Sequence, residues 1–386
     1  MFLDQTPEQQ ALRKELREYF ADLLTPDVRA ALGDPGEGSD LFRSLVRRMG
    51  ADGWLGIGWP KEYGGQGRPP TDQYIFFDEV QRASAPFPFV TLNTVGPTLM
   101  LYGSQEQKDR FLPGILRGEV NFAIGYTEPE AGTDLASLRT RAVRDGDEYV
   151  ITGSKIFTSG ANQADYIWLA CRTDVDAPKH KGISMIIVPT DDPGFEWSPI
   201  MTVGGVMTTA TFYDAVRVPV DNLVGAENEG WRMITTQLNH ERVGLAALCG
   251  LAQRLSEETR TWARSTGRTG QPWVRTHLAE AHARLEAMRL LNWRMASRMT
   301  EGTLSPADSS AVKVFGTEGL VEVYRLLLEV VGPAGSVRAG WPGAALAGEL
   351  ERAARAAQIN TFGGGVNEVQ REIVASVGLG MARRAR

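Results

Sequence analysis

The stretch at residues 126–134 combines hydroxyl donors with small residues, a composition that could hold a large planar ligand. Pro129 fixes one backbone angle, and Gly132 allows a flat molecule to approach the main chain closely. Backbone N–H groups and the hydroxyls of Thr127 and Thr133 would then bind that ligand. An ordinary polar turn would have the same composition, so the stretch alone leaves both interpretations open.

Composition argues against several classes of protein. The 386-residue chain has a formal net charge of −6, which does not favour a nucleic-acid partner. It shows neither a secretory leader nor an apolar run of the ~20 residues that cross a membrane, so we expect a cytoplasmic protein without a membrane partner. Cys171 and Cys249 lie far apart in apolar surroundings, which predicts reduced core residues. The four histidines show no metal-binding spacing.

The stretch at 126–134 falls near the point where the hydrophobic pattern changes. Before it, apolar residues recur at helical spacing, and after it come short β-branched and aromatic runs separated by turn signals. The helical period returns at Gly230 and continues. We therefore predict an α+β fold that is mainly α. Its parts are an N-terminal helical domain, a middle antiparallel β domain and a C-terminal four-helix bundle, at residues 1–120, 121–229 and 230–386.

Five motifs follow one another along the chain. They read Tyr-Thr-Glu-Pro-Glu-Ala-Gly-Thr-Asp at 126–134, Lys-Ile-Phe-Thr-Ser-Gly at 155–160, Val-Arg-Val-Pro at 216–219, Leu-Asn-His-Glu-Arg at 238–242 and Gly-Gly-Gly-Val-Asn-Glu-Val-Gln-Arg at 363–371. In order and composition they resemble the acyl-CoA dehydrogenase family, over almost the whole chain. The resemblance implies the acyl-CoA dehydrogenase fold, an FAD cofactor, an acyl-CoA thioester substrate and α,β-dehydrogenation.

Within this family, the chain looks most like the actinobacterial subunits that degrade steroid side chains, such as that of cholesterol. That similarity rests on Thr361-Phe362 before the last motif, on the 238–242 motif and on the opening Met-Phe-Leu-Asp-Gln-Thr-Pro-Glu-Gln. It implies a branched or steroid side-chain acyl group.

In the family, the stretch at 126–134, here called the cofactor loop, lies along the flavin. The resemblance assigns cofactor contacts in it to Tyr126, Thr127, Gly132 and Thr133. Tyr126 and Thr127 would contact the ring system through backbone and hydroxyl groups. Thr133 would bind a phosphate or a flavin oxygen.

The 155–160 motif would supply a second set of cofactor contacts, from Phe157, Thr158 and Ser159. Phe157 takes the place of an aromatic ring against the isoalloxazine, with Ser159 nearby as a hydroxyl donor. Donors aimed at a flavin stabilise the negative charge that builds on its reduction. The alternative for Phe157 is a core aromatic in a strand.

The reaction implied by the resemblance needs a base for the α-proton, while the β-hydrogen leaves as hydride to flavin N5. In many family members the base is a Glu in the C-terminal loop, at the position that Gly364 has here, so the usual base is missing. The family's second solution places a Glu directly before the Arg of the 238–242 motif. We therefore predict Glu241 as the catalytic base, with Arg242 for positioning; a solvated helix carboxylate is the alternative.

The glycine run at 363–365 removes side-chain volume where the acyl chain would pass, which suits a branched or ring-bearing acyl group. A mobile glycine loop could equally be structural. The resemblance places this segment near FAD and assigns cofactor contacts to Gly364, Gly365, Val366 and Glu368. Glu368 is also a reserve candidate for the base.

Two segments that complete a neighbouring subunit's FAD site in family homotetramers are altered here. Arg-X-Gln-Phe-Gly becomes a sequence without Phe at 264–272, and Gln-X-X-Gly-Gly-X-Gly becomes Glu-Val-Val-Gly-Pro-Ala-Gly at 329–335. Pro333 lacks the N–H that glycine would donate to the ADP part, and Glu329 brings negative charge near its phosphates. We predict an α2β2 heterotetramer with a second acyl-CoA dehydrogenase-like subunit, with FAD only at unlike interfaces.

Two other functions remain open at this point. A flavin-dependent oxidase or monooxygenase on the same fold would reoxidise rapidly with oxygen, whereas a dehydrogenase would pass electrons to an electron-transfer flavoprotein. A non-catalytic subunit would support only a partner's site. The intact cofactor loop and Glu241 argue against that last function.

Overall fold

The computed structural model describes residues 5–32, 39–237 and 249–382. The 238–242 motif, with the predicted catalytic residues Glu241 and Arg242, lies outside these residues.

The N-terminal part of the chain is helical. Its helices are α1 (Pro7–Leu23), α2 (Pro26–Leu32), α3 (Asp40–Ala51), α4 (Pro70–Ala83), α5 (Gly96–Tyr102) and α6 (Gln105–Leu116). Thr6 and Ser104 begin α1 and α6 with capping boxes, in which each hydroxyl accepts the N–H three residues on. Pro26 and Pro97 stand in the first turns of α2 and α5, where proline is tolerated.

The middle part of the chain forms one sheet. Its strands are β1 (Phe122–Gly125), β2 (Arg141–Asp145), β3 (Glu148–Lys155), β4 (Tyr166–Arg172), β5 (Ile183–Pro189), β6 (Phe195–Met201), β7 (Met207–Pro219) and β8 (Leu223–Val224). They follow the order β6-β7-β3-β2-β4-β5-β8, and β1 pairs with β4. Most ladders are antiparallel, as predicted, but β1 and β2 each pair with β4 in parallel. Consequently β1 carries the chain straight from the N-terminal helices into the cofactor loop.

The C-terminal part of the chain is a helix bundle, as the periodicity predicts. Its helices are α7 (230–237), α8 (Cys249–Ser265), α9 (Pro272–Thr300), α10 (Pro306–Val331), α11 (Glu349–Ala357) and α12 (Asn367–Ile373). Leu255, Leu285 and Leu327 from α8, α9 and α10 are buried in one cluster. The long α9 and α10 therefore form the centre of the bundle.

Polar contacts join the N-terminal helices to the bundle. Arg13 on α1 contacts Asp78 on α4 at 2.6 Å, and Asp78 accepts a hydrogen bond from the Cys249 thiol of α8 at 3.4 Å. Cys249 and Cys171 are both buried, as predicted for core residues, and are not bonded to each other. The described helices include none that is long and apolar enough to span a bilayer. Nor do the described residues group three or more His, Cys, Asp or Glu side chains in a way that could hold a metal ion.

Candidate active site

A buried ion pair supports the cofactor loop from below. Lys155 Nζ, at the end of β3, lies 2.8 Å from Glu128 Oε1 and 3.1 Å from the Tyr126 carbonyl oxygen. The same carboxylate accepts the backbone N–H groups of Arg139 at 2.6 Å and Thr140 at 2.9 Å. Burial alone would raise the pKa of the Glu128 carboxyl, but Lys155 and the Thr140 N–H more than offset this and lower it. The Glu128 carboxyl is therefore ionised at neutral pH. Burial lowers the pKa of the Lys155 ammonium, an effect that the charge of Glu128 opposes, and the contact between the two groups fixes the loop.

Above this floor the loop makes a tight turn with an exposed outer surface. Glu128 and Ala131 exchange two backbone hydrogen bonds of 3.1 Å, which leaves Gly132 and Thr133 exposed. A Cβ atom added at Gly132 would meet only Thr127 Cγ2, at an ordinary 3.8 Å. Packing within the described chain therefore does not require glycine at this position, and a ligand could lie against its backbone.

The Tyr126 side chain points away from this surface into the interior. Its hydroxyl donates a hydrogen bond to Gln237 Oε1 on α7, and Trp168 Nε1 on β4 lies 3.3 Å from the same hydroxyl and 3.2 Å from Gln237 Oε1. An indole N–H can only donate, so the amide oxygen of Gln237 must face Trp168. Gln237 is 1% exposed, and its Nε2 has no hydrogen-bond partner among the residues that the structure describes. The Tyr126 hydroxyl, predicted to contact the flavin, is instead hydrogen-bonded to Gln237 and links the loop to α7.

Phe157 stands out from the sheet. It is 57% exposed, and its φ of +60° is an uncommon, costly conformation for a residue other than glycine. A core aromatic in a strand, the alternative interpretation, is therefore wrong. The surrounding fold enforces the strain, which is the usual situation at a functional position.

The residues after Phe157 are anchored to β7. Thr158 N donates to the Thr209 carbonyl at 2.9 Å, and the Thr209 hydroxyl donates back to the Thr158 carbonyl at 2.6 Å. Thr158 is fully buried, so its hydroxyl supports the loop from beneath instead of lying on its surface. Ser159 is exposed, with its Oγ 2.9 Å from Thr208 Oγ1. Of this motif, Phe157 and Ser159 are placed to touch a ligand.

The glycine segment is held from the bundle. The buried Lys313 of α10 donates to the Gly365 carbonyl at 2.6 Å and to Asn367 Oδ1 at 2.9 Å. Gly364 and Gly365 have φ of +66° and +96°, and a Cβ at Gly365 would lie 2.7 Å from Gln370 Nε2. The backbone therefore favours glycine at these two positions, whatever their role towards a ligand.

The structure unites two of the predicted motifs directly. Besides the Lys155–Glu128 pair, Ile156 N donates to the Thr127 carbonyl at 2.8 Å, so the first two motifs form one surface. Within the described ranges, no hydrogen bond joins that surface to the segment at 363–368, where Val366 is half-buried and Glu368 exposed. Sequence reasoning missed the buried supports Gln237 and Lys313.

The segments that should clamp an ADP group form a separate corner of the bundle, here called the clamp corner (residues 264–273 and 329–335). Glu329 Oε2 lies 2.7 Å from His277 Nε2 of α9, and Arg325 also contacts this carboxylate. The hydrogen bond from His277 and the charge of Arg325 lower the pKa of Glu329. The charge predicted to oppose phosphates is therefore already paired inside the chain.

The side chain of Arg268 occupies the space between two tryptophans and Gly332 at the clamp corner. The Arg268 guanidinium lies over the rings of Trp262 and Trp273, 5.8 and 5.9 Å from their centroids. One of its terminal nitrogens would lie 3.4 Å from a Cβ built at Gly332. The chain's own side chains thus take the space beside the altered glycine segment.

The comparisons with known proteins agree with this architecture. The family models for the N-terminal, middle and C-terminal domains of acyl-CoA dehydrogenase match residues 6–119, 123–216 and 228–379. The chain is 52% identical over 402 residues to Acyl-CoA dehydrogenase FadE26 of Mycobacterium tuberculosis, which covers 100% of both proteins. It is 51% identical over 389 residues to FadE29 of the same organism, which covers 99% of each. This chain belongs to the acyl-CoA dehydrogenase family and is an oxidoreductase.

Two solved structures share its fold closely. One is described as the Tcur3481-Tcur3483 steroid ACAD, with a TM-score of 0.96, 62% identity, and coverage of 99% of this chain and 100% of that one. The other is the ChsE4-ChsE5 complex from Mycobacterium tuberculosis, with a TM-score of 0.94, 52% identity and the same coverage. These matches confirm the predicted fold class and the resemblance to steroid-degrading members. The roles assigned to individual site residues stay predictions.

Proposed function

We propose that this chain is the catalytic subunit of an FAD-dependent enzyme that introduces an α,β double bond into a branched or steroid side-chain acyl-CoA. The observation that carries the proposal is the exposed, strained Phe157 beside a loop that the Lys155–Glu128 pair makes rigid. The substrate class is supported by the similarity to the steroid ACAD and by the glycine run at 363–365.

The residues present fit an FAD group. Phe157 offers an aromatic face to a flat ring, Ser159 and Thr133 offer exposed hydroxyls, and Gly132 leaves its backbone open. Bound FAD would accept the hydride that leaves the β-carbon. The remaining cofactor contacts, to Gly364, Gly365, Val366 and Glu368, are assigned by resemblance to the family.

We assign abstraction of the α-proton to the carboxylate of Glu241, with Arg242 beside it for charge balance. Both lie outside the described residues. Gln237, four residues before Glu241 in the sequence, is bonded to Tyr126 at the start of the cofactor loop. This contact fixes Gln237 relative to the loop that would carry the flavin.

Replacement of Glu241 tests the proposal. General-base removal typically costs about 10²–10⁴-fold in rate, so Glu241→Gln should abolish measurable dehydrogenation while bound FAD is retained. Glu18→Gln, at an exposed carboxylate on α1 with no assigned role, is the matched control and should keep its turnover. Near-normal turnover of Glu241→Gln would contradict the assignment of the base.

The closed clamp corner supports a heteromeric assembly. We infer an α2β2 heterotetramer in which a second acyl-CoA dehydrogenase-like subunit supplies the ADP clamp. The similar ChsE4-ChsE5 structure is a complex, which agrees with this. Expressed alone, the chain should purify with little flavin; co-expressed with a neighbouring gene product of the same family, it should retain FAD at about one per unlike pair. A stable, fully flavinated homotetramer of this chain would refute the assembly.

Electrons would leave through an electron-transfer flavoprotein. Stopped-flow reoxidation separates this from the oxidase alternative: the reduced complex should react slowly with oxygen and rapidly with an electron-transfer flavoprotein. Fast reoxidation by oxygen with release of hydrogen peroxide would favour the oxidase.

A further inference from the structure

A groove lies where α1, α8 and α9 meet, and it is here called the arginine groove. Its volume is about 560 Å³, within the roughly 300–1,000 Å³ that small-molecule sites occupy. Of the described residues that line it, none belongs to the segments at 126–134, 155–160, 264–273, 329–335 or 363–371. The groove is therefore separate from the cofactor loop, the clamp corner and the glycine segment.

Each of the three helices presents one face to the arginine groove. Residues three or four apart on a helix share a face, and the polar lining residues follow this spacing. They are Arg13 and Arg17 on α1, Gln253, Ser256 and Arg260 on α8, and His282, Glu286 and Arg289 on α9. Leu278 and Leu285 of α9 add apolar surface to the same wall. Polar groups from three separate elements thus converge on one space.

The carboxylates that line the groove are already paired with arginines. Each lies within 3.0 Å of a guanidinium nitrogen, and the pairs are Asp78 with Arg13, Glu257 with Arg82, and Glu286 with Arg289. Their negative charge is therefore compensated within the chain, and it opposes an anion in the groove only weakly.

Three arginines of the groove keep N–H groups that no described residue accepts. Arg17 bonds the Glu79 carboxylate through its Nε alone, at 3.0 and 3.1 Å, and Arg289 bonds Glu286 through its Nε alone, at 3.0 Å. These bonds orient the two guanidinium groups and leave their terminal nitrogens for another acceptor. Arg260 is exposed and makes no side-chain hydrogen bond or ion pair within the described ranges.

The neutral polar side chains of the groove are also open to a ligand. Gln253 and Ser256 are half-buried and His282 is exposed, and none of them bonds to another side chain in the part of the chain that the structure describes. Amide, hydroxyl and imidazole groups can each donate to an anionic oxygen. A carboxylate offers about four lone-pair sites, fewer than three guanidinium groups can fill. The donor set therefore suits an anion with more oxygens, and the guanidinium fork matches those of a phosphate.

We propose that the arginine groove binds a small organic phosphate, with Arg17, Arg260 and Arg289 on its phosphoryl oxygens. Ser256 would donate to the same oxygens, and Leu278 would lie against the organic part. This site is independent of the proposed function, because its residues belong to none of the segments assigned to FAD or to the acyl group.

The test uses pyrophosphate as the probe. It is titrated by isothermal calorimetry, in phosphate-free buffer, into the purified protein, either this chain alone or its FAD-loaded complex. Arg260→Met removes a guanidinium that pairs with no described residue, whereas Arg141→Met, on β2 and also exposed, removes a charge outside the groove. Because both side chains are exposed, thermal unfolding of each variant should match the wild type.

We expect Arg260→Met to raise the dissociation constant for pyrophosphate at least tenfold, with no change for Arg141→Met. Arg260→Lys should give an intermediate value, since an ammonium keeps the charge but not the fork of donors. An unchanged constant for Arg260→Met would overturn the proposal, as would an equal loss in Arg141→Met or no saturable binding to the wild type at millimolar pyrophosphate. Succinate bound as tightly as pyrophosphate would overturn the assignment to a phosphate. The measurement needs no turnover, so its failure is distinguishable from failure of the proposed dehydrogenase function.

Discussion

The cofactor loop and the clamp corner are two surfaces that the family uses for one cofactor, and this chain treats them in opposite ways. The loop has a buried ionic floor, Lys155 with Glu128, and an outer surface that the chain's own side chains leave open. The corner has its charge paired, Glu329 with His277 and Arg325, and its space filled by Arg268. The outer surface of the loop is open, whereas side chains of the same chain pair the charge and occupy space at the corner.

If the proposed function is correct, this difference explains how the ADP half of a shared site can be lost without loss of the fold. The altered corner residues Glu329 and Pro333 are exposed, so their replacement hardly affects the core of the bundle. The side chains of Lys155 and Glu128 beneath the loop are 0% and 8% exposed. Replacement of either one would leave the charge of the other buried without a partner. Physical cost therefore constrains the loop much more strongly than the corner.

The largest expected effect comes from breaking that floor. Lys155→Met leaves the Glu128 carboxylate buried without its cation, and removal of one partner of a buried pair typically costs about 3–5 kcal/mol. We expect a matching loss in the free energy of unfolding, measured with urea, and loss of FAD from the complex. Lys179→Met is the control, because its pair with Asp134 in the same loop, also at 2.8 Å, is half-exposed and should contribute within about 1 kcal/mol.

The same pair sets the direction of a pH effect. The pKa of Glu128 is lowered in the folded chain, so the pair's stabilisation is present above the ordinary pKa of the carboxyl and is lost as the pH falls towards the lowered value. The wild type should therefore lose more stability on acidification than Glu128→Gln does. Equal acid sensitivity of the two proteins would show that the pair is not ionised.

The sequence alone predicted the fold and an exposed position for Phe157. It did not predict the side-chain contacts that support the cofactor loop and the clamp corner. Helical periodicity and the motif order are local signals, and they located the bundle and the exposed Phe157. The direction of the Tyr126 side chain depends on Gln237, 111 residues away, and on Trp168, 42 residues away. The partner of Glu329 is His277, 52 residues before it. Such distant pairs leave no pattern in the sequence, so the inward turn of Tyr126 and the self-paired corner could not be predicted.

A second set of substitutions, at Glu329 and Pro333, tests whether the clamp corner can be made to bind the ADP part of FAD. Glu329→Gln removes the charge that would oppose phosphates, and Pro333→Gly restores a backbone N–H donor. We expect the doubly substituted chain, expressed alone, to retain several-fold more FAD than the wild type, measured as flavin absorbance per protein. Glu322→Gln is the charge-matched control, since Glu322 also pairs with Arg325 but lies outside the corner. If all three proteins retain equal flavin, the two regions do not differ in the way described.

The smallest expected effect, and the sharpest test of an open loop surface, comes from one added methyl group. Gly132→Ala places a Cβ 3.8 Å from Thr127 Cγ2, an ordinary contact, so the free energy of unfolding should change by less than about 1 kcal/mol. Gly125→Ala is the contrasting control: its Cβ would lie 2.8 Å from Leu169 Cδ1, so this variant should lose stability.

A flavin lying against the loop backbone would meet the methyl group of Gly132→Ala. We therefore expect a roughly threefold rise in the dissociation constant of the mixed complex for FAD, or about 0.65 kcal/mol. Titration of FAD into the deflavinated complex, followed by protein fluorescence, measures this. Unchanged FAD affinity in a stable Gly132→Ala protein would mean that the cofactor does not approach the loop at this residue, and the contrast with the clamp corner would then rest on Phe157 and Ser159 alone.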